Sequence, residues 1–576
     1  MKSLYSLLLL CLLALTACAQ PETNQPSNSS RPDWEKGAMV AAANPHATDA
    51  AMLMLQKGGH AVDAAIAAHA VLGLVEPQSS GIGGGAFILV YERDVDSLVF
   101  HDGREEAPAG ARADMFMRDG EAMGFVEAWQ SGLSVGVPGA IAVYAAAHEE
   151  HGKLAWDELF QPAIELAEQG FVVSPRMAGF LPRIAKYSRL NENPETSAYF
   201  FPNGKALQAG DLRKNPEYAA TLRAVAEQGI DAFYKGQLAK LMSVAAHAEP
   251  NPGTLSVEDL ADYQPRRREA VCGEFRELKL CSASPPSSGA VLVMFTGIYE
   301  HLIKETDSQE DRIAAFVDAQ RLAYADRDYF FGDPDVVDVP LEQLISPAYL
   351  AHRASQRFEP SATPVHGDPL GFHSGVAAVY PWAPDTTEDV PGTTHLSIID
   401  AEGNAVALTA SVEAPFGSSR WAGGFLLNNQ MTDFAREVPA DGKPLSNAVA
   451  PGKRPRSSMS PVIMFDERGE LLMVTGSPGG NSIPAYVAKS VLGVLDWGLS
   501  AQQSVDFPNL VARGEPVRVE VSVDGGQAIA DDLKARGYNV QERDGENSGL
   551  HVIVVRPDGL EGAADPRREG TVRSMP

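Results

Sequence analysis

The chain has 576 residues, 44% of them hydrophobic and 21% charged, which excludes a disordered or fibrous polymer and leaves a globular protein with a large core. Its 47 Lys and Arg face 75 Asp and Glu, a formal net charge of −28, so nucleic acid and anionic lipid surfaces are excluded as partners unless a local basic patch intervenes. No segment supplies one, and the length fits either several domains or one large layered unit.

At the N-terminus, Lys2 precedes an apolar run from Leu4 to Leu15. That run is shorter than the roughly 20 residues a membrane-spanning helix needs, and its charged start and small-residue exit predict a signal peptide over residues 1–17. Leu15-Thr16-Ala17-Cys18 resembles a bacterial lipobox. It implies a lipid on Cys18, export to the periplasm or cell envelope and a membrane anchor, ordinary signal cleavage nearby being the alternative. Residues 18–36 are polar and rich in Pro and Ser, as in a flexible tether.

Residues 46–57 carry a helical pattern that stops at Gly58-Gly59, and residues 61–72 resume one rich in Ala. The glycines of Ser80-Gly81-Ile82-Gly83-Gly84-Gly85 run into the apolar strand AFILVY. A phosphate-binding loop must instead open a helix, so a tight turn is expected there and no nucleotide. Further amphipathic helices are predicted near 139–150, 156–169, 216–228, 289–303, 311–328 and 482–496. His148-Glu149-Glu150-His151 has its histidines three apart at a helix end, where a zinc helix places them four apart. A solvated helix terminus is expected, with no metal.

Alternation on either side of Arg276-Glu277 predicts a hairpin in which residue 272 faces residue 281. Cys272 and Cys281 then form a disulfide in an oxidising compartment, or else remain separate buried thiols. From 394 to 475 the runs THLSIID, AVALTASV, PVIMFD and ELLMVTG are short strands between turns. This order predicts an α+β fold, helical layers packed on antiparallel sheets.

The strand beginning Gly392-Thr393-Thr394-His395 folds back through the Glu402-Gly403 turn as Ala405 to Val412. Counting outward from the turn brings residues 411–413 beside Thr393. A threonine hydroxyl alone is inert. At a chain N-terminus it gains a base, the freed α-amine with a pKa of about 7.7 to 8.0, so the chemistry depends on a cut before Thr393.

The stretches GGHAVDAAIAA, EPQSSGIGGGAF, DGREEAP, GVPGAI, PPSSGA, AYADRDYFFGDPD, TTHLSIIDAEGNAVALT, FLLNNQMTDF, KRPRSSMSP, TGSPGG and ADPRREG occur in this order between Gly37 and Arg573. Through them the chain resembles the γ-glutamyltransferase (glutathione hydrolase) family of N-terminal-nucleophile hydrolases. The resemblance implies a four-layer αββα sandwich made as one precursor. Self-cleavage between Gly392 and Thr393 would leave a large subunit, 37–392, and a small catalytic subunit, 393–576, joined in one structural unit that needs no cofactor.

It also implies roles for single residues. Thr393 is the processing and catalytic nucleophile, and Ser411 hydrogen-bonds it. Arg104, Ser457 and Ser458 hold the substrate α-carboxylate, Gln430 and Asp433 the α-ammonium, and the N–H groups of Gly479 and Gly480 the oxyanion. Two departures stand out: Glu413 occupies a position where better-known transferases have asparagine, and residues 434–453 form a short segment without a tyrosine to close over substrate. As the resemblance implies, both occur in branches that include β-lactam side-chain acylases. Glu413 with Gln430 and Asp433 would nevertheless set two carboxylates around an ammonium, which favours γ-glutamyl over glutaryl compounds.

The expected activity is hydrolysis and transpeptidation of glutathione and other γ-glutamyl compounds, with water, an amino acid or a peptide as acceptor. The first alternative is an acylase of the same fold cutting glutaryl-type (cephalosporin side-chain) amides or γ-glutamyl polymers. The second is an uncut lipoprotein that only binds peptides.

Overall fold

Alternation along the strands decides the layers. The computed structural model describes residues 34–383, 385, 387, 392–439 and 442–576; the predicted signal peptide, Cys18 and the tether up to residue 33 lie outside the described residues. Strands β1 (Ala38–Ala42), β2 (Gly85–Glu92), β3 (Ser97–Gly103), β4 (Arg266–Arg268), β5 (Val271–Phe275), β6 (Leu278–Ser282), β7 (Gly392–Ile399), β8 (Ala405–Glu413), β9 (Val462–Phe465), β10 (Leu471–Gly476), β11 (His551–Arg556), β12 (Gly559–Ala564) and β13 (Thr571–Met575) form the two large sheets. One is seven-stranded, in the order β13-β1-β7-β8-β2-β3-β4, and the other six-stranded, β12-β11-β10-β9-β6-β5.

In β1, Ala38, Val40 and Ala42 enter one hydrophobic core and Met39 and Ala41 another; in β8, Val406, Leu408 and Ala410 oppose Ala405 and Ala407 in the same way. A strand buried on both faces belongs to an inner layer. Helices α1 (Pro45–Gln56), α2 (Ala61–Val75), α3 (Ala140–His151) and α4 (Pro216–Gln228) pack in the first core, outside the seven-stranded sheet. Helices α5 (Gly289–Leu302), α6 (Gln309–Phe330) and α7 (Ile483–Leu495) pack in the second, on the six-stranded sheet. The layers run helix, sheet, sheet, helix, the α+β sandwich that the resemblance implied. Strands from beyond residue 392 interleave with earlier ones, because β7 and β8 lie between β1 and β2.

Local signals place several elements closely. Asn44 accepts from the backbone N–H of His46 to start α1 with Pro45 in its first turn, and His60 with Asp63 makes the capping box of α2. In the hairpin of β5 and β6, Cys272 and Cys281 are direct register partners joined by a disulfide. Arg276 and Glu277 both take positive φ at its turn, as a two-residue hairpin demands.

Two expectations need correction. The stretch 156–169 is two elements, a 3-10 turn over Trp156–Phe160 and a helix over Gln161–Gln169, with Pro162 starting the second. Strands do dominate from 394 to 475, and β1, β3 and β11 to β13 complete the sheets from both ends of the chain. Finally, the helix end at His148 to His151 is not simply solvated: Glu149 and Glu150 are exposed, but His151 is buried.

Candidate active site

Thr393 stands at the edge of β7 and pairs with Ser411 of β8, whereas Gly392 pairs with Glu413. One extra residue, Val412, therefore bulges from β8 opposite the Gly392–Thr393 bond, and Glu413 takes φ 77°, a left-handed conformation that costs energy in a non-glycine residue. The bulge turns the Ser411 hydroxyl to three partners. It accepts from Thr393 Oγ1 at 3.3 Å and from the backbone N–H of Glu413 at 2.8 Å, and donates to the Gly392 carbonyl oxygen at 3.0 Å. On the other side of Thr393, Arg568 donates to the Thr393 carbonyl oxygen at 2.8 Å. Burial pulls the Arg568 pKa down to about 9, with the charge of Arg176 acting in the same direction.

One narrow pocket is lined by Thr393, Ser411 and Gly480 and, on its remaining walls, by Arg104, Glu413, Gln430, Asp433, Ser457 and Ser458. Arg104 follows β3 directly and is fully buried. Its guanidinium donates to the carbonyl oxygens of Pro455 at 3.1 Å and Arg456 at 2.9 Å, and pairs with Asp433 Oδ2 at 2.5 Å. Gln430 donates to that same Asp433 oxygen at 2.6 Å, and Gln430 Oε1 is buried without a hydrogen-bond partner among the described residues. Asn429 donates to Glu413 Oε2, which holds the second carboxylate in the pocket wall.

Asp433 pairs with Arg104, Glu105 lies 3.5 Å from the same guanidinium and Glu413 lines the same pocket, an acidic wall that would suit a cationic group. The serine wall is built from a distance. Arg327 of α6 donates to Ser458 Oγ at 2.6 Å, Ser458 donates to Asn481 at 3.3 Å, and Ser457 Oγ accepts from the backbone N–H of Met459 at 3.2 Å. Next to Arg104, burial raises the Glu105 pKa to about 7 against the opposing charge of Arg104.

Gly479 and Gly480 connect β10 to the turn that opens α7, with φ of 143° and 56°, both closed to side chains without strain. A Cβ on Gly479 would lie 2.5 Å from the Tyr486 ring. Gly480 lines the pocket of Thr393, while Gly479 borders a larger cleft of about 900 Å³. That cleft gathers Arg176, Arg183, Arg513, Arg518, Arg543 and Arg567 against Glu515 and Glu546. The fold assembles this basic surface from four separate segments beside Thr393's pocket.

The structure brings every sequence-predicted pocket residue to one place and sets Gly479 at its rim. The sequence reading missed Arg568, Arg327, Asn429 and Asn481. The signal for the first two was their presence inside the matched stretches ADPRREG and AYADRDYFFGDPD, but nothing in their spacing told which arginine points inward.

The Gamma-glutamyltranspeptidase family model matches residues 47–575. The glutathione hydrolase proenzyme of Escherichia coli (strain K12) is 35% identical over 546 residues, 92% of this chain and 90% of that protein. That of Bacillus subtilis (strain 168) is 34% identical over 520 residues, 88% and 86% of the two chains. Among solved structures, the cephalosporin acylase from Bacillus halodurans superposes with a TM-score of 0.81 at 27% identity, covering 97% of this chain and all of that one. With a family match across nearly the whole described fold, the chain belongs to the gamma-glutamyltranspeptidase family.

Proposed function

We propose that this protein hydrolyses and transfers γ-glutamyl groups, with glutathione as the foremost donor, after cutting itself between Gly392 and Thr393. In the processing step Thr393 Oγ attacks the Gly392 carbonyl carbon, whose oxygen is already hydrogen-bonded by Ser411. The C–N bond breaks as the C–O bond forms, and the proton from the hydroxyl passes to the departing nitrogen. Water then hydrolyses the ester and leaves Thr393 with a free α-amine. In turnover that amine accepts the Thr393 hydroxyl proton while the oxygen attacks the γ-amide carbonyl. The N–H groups of Gly479 and Gly480 receive the developing oxyanion, and the protonated amine returns its proton to the leaving group. The γ-glutamyl ester passes to water or to an amino acid or peptide.

The observation that carries this reading is the wall opposite Thr393, where Arg104 faces Asp433, and Glu413 and Gln430 lie alongside. A zwitterionic α-carbon suits it: Arg104, Ser457 and Ser458 for the carboxylate, Asp433, Gln430 and Glu413 for the ammonium. Comparing kcat/KM for γ-glutamyl anilide and glutaryl anilide tests it, the γ-glutamyl compound being preferred. Likeness to the Bacillus halodurans cephalosporin acylase favours the second reading, a glutaryl-type acylase, and equal or reversed preference would put that reading first.

Export and a lipid on Cys18 complete the proposal. The Cys272–Cys281 disulfide supports it, because such bonds persist in oxidising compartments. The fragments 37–392 and 393–576 would stay together through their interleaved strands.

A further inference from the structure

Strand β3 carries His101 three residues before Arg104, and the C-terminal end of α3 closes over it with Glu150 and His151. His101 is 2% and His151 8% exposed, and their Nε2 atoms face each other at 3.1 Å with the rings nearly perpendicular. Two nitrogens bound to one tetrahedral zinc at about 2.0 to 2.1 Å lie about 3.3 Å apart, close to this spacing. The Glu150 carboxylate stands 3.8 Å from His101 Nε2 and 3.9 Å from His151 Nε2, and one donor atom from each of the three residues lies within 4.8 Å of the others. Glu150 is the exposed member and has room to close the remaining gap by rotation.

The outer partners fit a metal ligand set. Glu92 Oε1 lies 2.6 Å from His151 Nδ1 and 3.2 Å from His60 Nε2. A carboxylate on Nδ1 keeps the proton there and leaves the Nε2 lone pair for an ion, the arrangement found behind ligating histidines. Arg267 donates to both Glu150 oxygens, at 2.9 and 3.0 Å, and keeps the carboxylate beside the two histidines, an exposed pairing that it would give up in part on turning to the ion. A groove of about 460 Å³ bordered by Glu92, Asp94, Glu150, His151 and Glu402 leads to the position from solvent, and its charge attracts cations. His148, the other histidine of the helix end, turns away to the carbonyl oxygen of Leu154.

We infer that His101, Glu150 and His151 bind one divalent transition-metal ion of zinc type, with a water from the groove as fourth ligand. The ion would staple the end of α3 to β3, the strand that delivers Arg104 to the pocket, and its role is structural.

The test uses the tag-free full chain, stripped with a chelator and titrated with Zn²⁺ by calorimetry, alongside E150Q and H101Q. The parent chain should take up one equivalent and melt at higher temperature with Zn²⁺ than without it. E150Q, a change at the surface, should weaken uptake about tenfold or more, and H101Q should abolish it. If H101Q fails to fold, E150Q alone decides. Absence of stoichiometric uptake, or equal uptake by the parent and E150Q, would make His101 and His151 a hydrogen-bonded pair only and overturn the inference.

Discussion

Ser411 donates its hydroxyl to the carbonyl oxygen of Gly392 at 3.0 Å. Ser411 Oγ in turn accepts from the hydroxyl of Thr393 at 3.3 Å, so one side chain touches both the hydroxyl and the carbonyl of the proposed cut that would expose the Thr393 amine. A hydrogen bond on a carbonyl oxygen stabilises the negative charge that grows there during attack, and loss of one such donor commonly costs about 100- to 1,000-fold in rate. Ser411→Ala should therefore slow appearance of the two fragments by about that factor, read as a time course on denaturing gels. Processing at the parent rate would remove Ser411 from the mechanism.

The substrate pocket makes a second prediction. Glu413 adds a carboxylate near Asp433 and Gln430, so Glu413→Gln should weaken the grip on an α-ammonium and leave the carboxylate side intact. The ratio of kcat/KM for γ-glutamyl over glutaryl anilide should fall, by about tenfold for a charge–charge contribution near 1.4 kcal/mol. An unchanged ratio would show that Glu413 serves its hydrogen bond with Asn429 and not the substrate.

Burial raises the Glu105 pKa from 4.5 to about 7, so the folded chain holds a proton that the unfolded chain releases across that window. Stability from this group falls as pH rises from about 4.5 to about 7 and stays lower above it. Glu105→Gln removes the titrating group. Urea midpoints of the variant should decline less than those of the parent between pH 5 and pH 7.5, and parallel curves would contradict the assignment.

Beside the pocket, Arg183 and Arg543 are exposed and make no ion pair among the described residues, although they border the cleft next to Gly479. A leaving group that ends in a carboxylate, such as the peptide released from glutathione, would feel them; a neutral aniline would not. Reversing both charges to Glu should raise KM for glutathione by about threefold per contact, in the range of exposed ion pairs, with little change for γ-glutamyl anilide. Equal effects on both substrates would place the leaving group elsewhere.

How much was legible follows from the range of each contact. Thr393 beside Ser411, and Cys272 opposite Cys281, could be counted outward from Glu402-Gly403 and Arg276-Glu277, because a hairpin's register is set by its turn. The alanine-rich strand β1 shows no alternation since both its faces are buried, and its pairing with β13 joins opposite ends of the chain. Arg568 reaches Thr393 across 175 residues and His151 reaches His101 across 50, contacts that only the packed layers create. The basic cleft was hidden for the same reason, its arginines coming from segments far apart in the chain, at 176–183, 513–518, 543 and 567.

The proposed reaction requires that the chain cut itself at Gly392–Thr393 and work through the exposed threonine. Intact-mass analysis of the purified protein tests it most directly. A fragment of residues 393–576 with Thr393 at its N-terminus is expected, and a single inactive chain for Thr393→Ala. A fully active protein that remains one uncut chain would contradict it.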